Sequence, residues 1–176
     1  MESPAEEFFR AKREEAPVIA RFVNEAYRGE ASKRGWTTEA DLLGGQRTDE
    51  REVSTLIAPP ASIILCRKDR EGLLGTIHIL LCAGTAHFGM LAVRPSMQGR
   101  GIGKSLLREA EKIAADAHAM RAEMAVLTFR RELLSFYERL GYARTGIFRD
   151  FPEDPRFGVP KVAGLRFEIL EKPIRA

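Results

Sequence analysis

Only two cysteines occur in the chain, Cys66 and Cys82, and they form no Cys-x-x-Cys pair. Both fall in apolar, strand-like surroundings, which favours buried, inert thiols over a redox role. The three histidines (His78, His87, His118) lack metal-ligand spacing, so no metal is expected. No apolar run approaches the roughly 20 residues of a membrane span, which argues against a membrane partner. Long Lys/Arg blocks are missing too. Charges of both signs are interspersed, and the net charge is +3. Nucleic acid is therefore not the expected partner, because neutralising many phosphates needs a concentrated basic face. The mild basic excess, with a pI near 9.0, suits a small polyanion instead. Repeats, low-complexity tracts and linkers are also absent. At 176 residues the chain reads as a single domain spanning residues 1–176. Its acidic opening, Met1 to Glu7, is unlike a secretory or transit segment, so a cytoplasmic address is the default expectation.

What the chain does have is the stretch from Met90 to Ser105. It reads as a short apolar strand, a turn marked by Pro95, a glycine-dense loop and the start of an amphipathic helix. That order aims backbone N–H groups and a helix N-terminus at one point, a geometry that holds phosphate. Gly99, Gly101 and Gly103 remove the Cβ atoms that would keep a pyrophosphate from the backbone. Arg100 and Lys104 add positive charge, as phosphate contacts or as solvated cations. Two familiar phosphate loops fail on spacing. Gln98 stands where the nucleoside-triphosphatase loop needs its first glycine. Lys104 stands where the dinucleotide fingerprint needs its third.

Periodicity supplies the surrounding elements. Phe8 to Ala11 suggests an opening strand, and Val18, Ile19, Phe22, Val23, Ala26 and Tyr27 recur at helical spacing, with Gly29 as a stop signal. Thr38 ahead of Glu39 to Leu43 predicts a short N-capped helix broken by Gly44-Gly45, and a second piece is expected from Asp49 to Ile57. Ser62 to Arg67 and Leu73 to Leu81 read as a hairpin around Asp69-Arg70-Glu71-Gly72. Thr85 to Val93 is a third strand leading into the loop. Leu106, Leu107, Ala110, Ile113, Ala114 and Ala117 mark a helix over 103–118. Strand 123–127, helix 131–140 and strands 143–148 and 162–170 complete the pattern. The strands on either side of helix 103–118 should lie side by side and parallel. A mixed α/β layer structure follows.

Gln98-x-x-Gly101-x-Gly103, with its hydrophobic-Ala-Val-x-Pro lead-in, resembles the acyl-coenzyme A motif of the GNAT superfamily of N-acyltransferases. The likeness covers residues 88–118. It implies a central mixed, mostly antiparallel twisted sheet of six to seven strands flanked by about four helices, a mixed α+β fold. It also implies acetyl-coenzyme A as cosubstrate. Leu91, Ala92 and Val93 would give main-chain contacts to the pantetheine arm where two strands splay. Gln98, Gly99, Arg100, Gly101, Ile102, Gly103, Lys104 and Ser105 would cradle the pyrophosphate. Phe136-Tyr137 followed by Gly141-Tyr142 resembles the family's Phe-Tyr-x-x-x-Gly-Phe/Tyr segment, whose tyrosine lies near the thioester sulfur. Tyr137 is thus the catalytic candidate, giving the thiolate leaving group a proton or hydrogen bond. The other reading makes it a packed tyrosine of the Leu133, Phe136, Leu140 stripe with its hydroxyl bonded.

The resemblance implies an N-acetyltransferase in which a primary amine attacks the acetyl carbonyl in a ternary complex, with no acyl-enzyme. Many relatives carry an acidic residue on the strand before the loop, but residues 89–93 offer none. His87, Glu123 and Asp150 are the substitutes considered for a base. Acceptor choice is assigned to Trp36 with Thr37-Thr38 and to the loop 148–158, where Asp150, Glu153 and Asp154 could attract a cationic amine. A small-molecule amine is the expected acceptor, and the sequence leaves monomer or homodimer open. The rival from another class is a catalytically silent acyl-coenzyme A sensor. A nucleotide-binding regulator is a further rival, with unsuitable loop spacing.

Overall fold

The expected mixed α/β layer structure is the form of the computed structural model. It describes residues 6–28, 30–35 and 38–175. Gly29, Trp36 and Thr37, singled out above, lie outside the described residues. Nine strands appear among the described residues: β1 (Glu7–Arg10), β2 (Leu43–Gly44), β3 (Ser62–Asp69), β4 (Gly72–Cys82), β5 (Thr85–Val93), β6 (Arg121–Leu127), β7 (Ala143–Asp150), β8 (Val159–Pro160) and β9 (Arg166–Pro173). The α-helices are α1 (Ala16–Tyr27), α2 (Glu50–Ile57), α3 (Ile102–Asp116) and α4 (Arg131–Arg139). Seven strands form one sheet in the order β1-β3-β4-β5-β6-β9-β7, and β2 pairs with β8 separately. Within the large sheet β5 and β6 run parallel, and the other pairings are antiparallel.

Local chemistry accounts for most boundaries. Pro17 sits in the first turn of α1, where its missing N–H costs nothing. Asp49 caps α2 by accepting from the Glu52 N–H at 2.7 Å. One helix expected from sequence does not form. After Thr38 the chain makes a single turn, with the Leu42 and Leu43 N–H groups both donating to the Glu39 carbonyl at 2.9 Å. It then leaves to pair Leu43 and Gly44 with Pro160 and Val159. Burial of Leu43 against Leu127 and Leu165 is a long-range gain that the local helix signal lacks. The last strand begins at Arg166, not Val162, because Gly164 turns the chain at φ 70°.

Two cores flank the sheet. Ile77, Ile79, Leu106, Leu107, Tyr137 and Leu170 fill the side covered by α3 and α4. Ile19, Val23, Val53, Ile64 and Met90 fill the side under α1 and α2. Ile102, Leu106 and Leu107 are each at most 3% exposed, so each contributes about 1.5–3 kcal/mol of burial. That outweighs the roughly 1 kcal/mol forgone by a helix with no side-chain N-cap, which α3 lacks. Packing therefore holds α3 in place while its N-terminus stays open. Among the described residues no helix is long and apolar enough to cross a membrane.

Candidate active site

The opening between β5 and β6 begins with a one-residue mismatch. β5 pairs with β6 from Thr85–Arg121 to Phe88–Met124, and there the ladder stops. On its other edge β5 carries an extra residue, since Thr76 faces Ala92 while His78 faces Gly89. Met90 absorbs the bulge at φ 48°, a conformation that L-residues seldom adopt. β6 meanwhile continues along β9, from Ala125–Ile169 to Leu127–Phe167. The two parallel strands thus separate beyond Phe88.

Backbone accounting then says which groups face the gap. Arg94 donates its N–H to the Leu74 carbonyl at 2.9 Å, so by strand alternation Ala92 also turns its main chain toward β4. Leu91 and Val93 turn theirs into the gap. The Leu91 carbonyl accepts the Tyr27 hydroxyl at 2.6 Å, and the Val93 carbonyl accepts Gln98 Nε2 at 3.3 Å. Of the three residues expected to contact a pantetheine arm, Leu91 and Val93 turn their backbone into the gap, and Ala92 turns its own toward β4.

The glycine loop follows a 3-10 turn at Pro95–Met97. Gly99 and Gly101 adopt φ 78° and 79°. The N–H groups of residues 99–104 bond to no other described element, and the first helical bond is from the Ser105 N–H to the Gly101 carbonyl at 2.9 Å. A Cβ placed on Gly99 or Gly101 meets nothing within 4 Å. Arg100 and Lys104 are exposed. Free amides, open space and two cations fit a diphosphate. The structure also divides the expected cradle. Gln98 turns inward, close enough to Gly35 that a Cβ there would lie 2.4 Å from its Oε1. Ile102 buries its side chain and offers only its N–H. Ser105 spends its N–H on the helix, and its hydroxyl on the Ile102 carbonyl and the Arg67 guanidinium.

A cavity of about 370 Å³ passes through the gap. On the α3–α4 side it is lined by Leu107, Leu133 and Tyr137. Tyr137 is 6% exposed and its ring meets Phe136 and Tyr142 edge-on at 5.3 and 5.9 Å. Its hydroxyl makes no hydrogen bond among the described residues, although no fully buried polar atom lacks a partner. The hydroxyl therefore opens onto the cavity. Burial pushes its pKa well above the ordinary phenol value, and Tyr27 adds to the shift.

On the α1–α2 side the cavity wall is charged. Arg28 binds Glu39 at 3.2 Å, with both side chains nearly buried, and donates to the carbonyls of Gly44 and Phe157. Arg130, at the start of α4, also lines the cavity and is tied to Glu132 at 2.7 Å, and Arg47 lies 5.9 Å from the centre of the Tyr27 ring. Burial and Glu39 push the Tyr27 hydroxyl up to about 12, so it stays protonated against Leu91. Glu52 completes the wall. The carboxylates considered from sequence lie elsewhere. Glu123 is between His87 at 3.5 Å and Arg149 at 3.6 Å, Asp150 lines a separate cleft, and Asp154 is bound by Arg156. From loop 148–158 it is Phe151, Pro152 and Phe157 that reach the cavity. Neither free cysteine lines it, and burial pushes the Cys66 thiol up to about 12. Glu39, Arg47 and Glu52 escaped sequence reasoning because they come from three segments with no shared period.

His78 also lines this wall. The single Ser62 hydroxyl proton goes to the Leu56 carbonyl, so His78 Nε2 donates to Ser62 Oγ at 2.8 Å. Burial lowers the His78 pKa from 6.5 to about 4. Its neutral form is favoured by folding, so the stabilisation is complete above pH 6.5 and is lost as pH falls toward 4. The size is about 3 kcal/mol. Denaturant unfolding at pH 7 and pH 4.5 should therefore cost the native chain more than His78→Gln. Equal losses would contradict the assignment.

Residues 59–144, from the residues ahead of β3 into β7, match the acetyltransferase (GNAT) domain family. Among solved structures, an N-acetyltransferase from Staphylococcus aureus Mu50 superposes with a TM-score of 0.73 at 13% identity, covering 97% of this chain and 99% of that one. The ribosomal-protein-S18-alanine N-acetyltransferase from Escherichia coli gives 0.71 at 13% identity, covering 98% and 96%. The PaiA N-acetyltransferase from Thermoplasma acidophilum, in complex with coenzyme A, gives 0.65 at 21%, covering 96% and 99%. At these identities the likeness is one of fold. Curated protein sequences give no significant match.

Proposed function

We propose that this chain, whose residues 59–144 match the acetyltransferase (GNAT) domain family, transfers acetyl from acetyl-coenzyme A to a primary amine by direct attack. The observation that carries this reading is the continuity of the free amides at 99–104 with a strand gap that opens onto an unbonded tyrosine hydroxyl. The cosubstrate supplies an activated thioester. The amides of residues 99–104, with Arg100 and Lys104, hold its diphosphate. Leu91 and Val93 bond the pantetheine arm from the edge of β5. The Leu91 N–H, turned into the gap, polarises the acetyl carbonyl.

The acceptor enters from the α1–α2 side. Its nitrogen, in the neutral form, makes the new C–N bond as the C–S bond breaks, the electron pair leaves with sulfur, and the one proton lost by nitrogen passes through solvent to the thiolate. Tyr137 donates a hydrogen bond to that sulfur. Its raised pKa makes it a poor acid but keeps the donor proton in place, so hydrogen bonding rather than full proton transfer is its role. Amine-dependent release of coenzyme A thiol is the expected result on mixing the protein, acetyl-coenzyme A and a broad amine panel. Tight acetyl-coenzyme A binding with no turnover of any amine would favour a silent sensor.

A further inference from the structure

The charges facing the acceptor side are unevenly paired. Arg28 is bound to Glu39 and Arg130 to Glu132, but the Arg47 guanidinium makes no hydrogen bond or ion pair among the described residues. Its backbone is nevertheless fixed, because the Arg47 N–H donates to Asn24 Oδ1 at 2.6 Å and Asn24 Nδ2 donates to the Thr48 carbonyl at 2.8 Å. A rigid backbone therefore presents an unsatisfied cation to the cavity. The guanidinium lies over the Tyr27 ring, and the Tyr27 hydroxyl binds Leu91 where acyl transfer is placed. These contacts put Arg47 within about 11 Å of the Leu91 carbonyl by covalent reach.

The carboxylates of the wall, by contrast, already have partners. Glu39 is bound to Arg28 and Glu52 accepts from the Thr48 hydroxyl at 2.8 Å, so among the described residues Arg47 is the lining cation left to meet an anion. Leu43, Leu56, Phe151 and Phe157 supply an apolar surface between them, and the volume of about 370 Å³ limits the occupant to a small molecule. We propose that the acceptor is an amine that also carries a carboxylate, an α-amino acid with an apolar side chain, whose carboxylate is held by Arg47. The inference rests on the acetyl-transfer reading and deepens it. Arg47 forks onto the carboxylate, which leaves the amine directed at the gap. The neutral amine forms the carbon–nitrogen bond as the carbon–sulfur bond breaks, and the one proton it loses passes through solvent to the departing sulfur, giving an N-acetylated amino acid and free thiol.

The test compares L-leucine, L-methionine and L-phenylalanine with their carboxamides, with phenethylamine and with spermidine, using the full chain and saturating acetyl-coenzyme A. The free acids should exceed their carboxamides in kcat/KM by about 10²-fold, mostly through KM. In Arg47→Gln that ratio should fall to near one, and Arg47→Lys should restore part of it. Thermal unfolding of both variants separates lost recognition from lost folding, since the Asn24 contacts are to the backbone and survive either change. Turnover of carboxamides, phenethylamine or spermidine as good as that of the acids overturns the proposal while leaving acetyl transfer standing. An unaltered ratio in a folded Arg47→Gln overturns it as well. No turnover of any amine overturns both.

Discussion

Tyr137→Phe should lower kcat for acetyl transfer by about 10²-fold or more, with acetyl-coenzyme A affinity and thermal stability unchanged. Phenylalanine preserves the edge-on ring contacts with Phe136 and Tyr142, and among the described residues no hydrogen bond is lost, because the hydroxyl makes none there. A purely structural tyrosine would therefore show almost no effect. A catalytic tyrosine would act only as the C–S bond breaks, when negative charge gathers on sulfur. A donor to an ionised acceptor there is worth about 2.7 kcal/mol, the equivalent of 10²-fold in rate. Steady-state kinetics with either substrate saturating separates kcat from KM. A rate equal to that of the native chain would make the residue structural.

The second large effect belongs to Gly101→Val, which should weaken acetyl-coenzyme A binding by about 10²-fold. Gly101 is the N-cap of α3 at φ 79° and ψ 4°, in the left-handed region that costs an L-residue roughly 1–2 kcal/mol and a β-branched one more. Relief of that strain would turn the amides of residues 102–104 away from their common focus. The new Cβ would also project into the open space beside them. Folding should survive, because α3 is held by Ile102, Leu106 and Leu107 rather than by its cap. Gly101→Asn, whose side chain tolerates this conformation, should lose less. Titration calorimetry with acetyl-coenzyme A reads both variants. Native affinity in Gly101→Val would mean that the diphosphate is held elsewhere.

Elements governed by local chemistry were legible in the chain. β5 ends at Val93 and α3 begins after Gly101, as the Pro95 turn and the glycine spacing require. The parallel pairing of β5 with β6 follows from the helix between them. Other features are set by distant partners. The expected helix after Thr38 is replaced by a turn, because Arg28 holds the Gly44 carbonyl and Val159 pairs with Gly44. The bulge at Met90 had a faint signal in Gly89, a lone glycine inside a strand pattern. Four charged residues of the cavity wall had none. Arg28, Glu39, Arg47 and Glu52 converge only because the end of α1, the 39–45 turn and the start of α2 fold against one another. Of the carboxylates that did stand out, Asp150 lines a separate cleft and Asp154 is bound by Arg156.

Amide correlation spectra of the nitrogen-labelled protein, recorded during titration with coenzyme A, address the diphosphate grip residue by residue. The amides of Gly99 through Lys104 should shift together and saturate, with the Ser105 amide moving less because it is already bonded within α3. Saturable coenzyme A binding that leaves those six signals in place, while others move, would contradict the account.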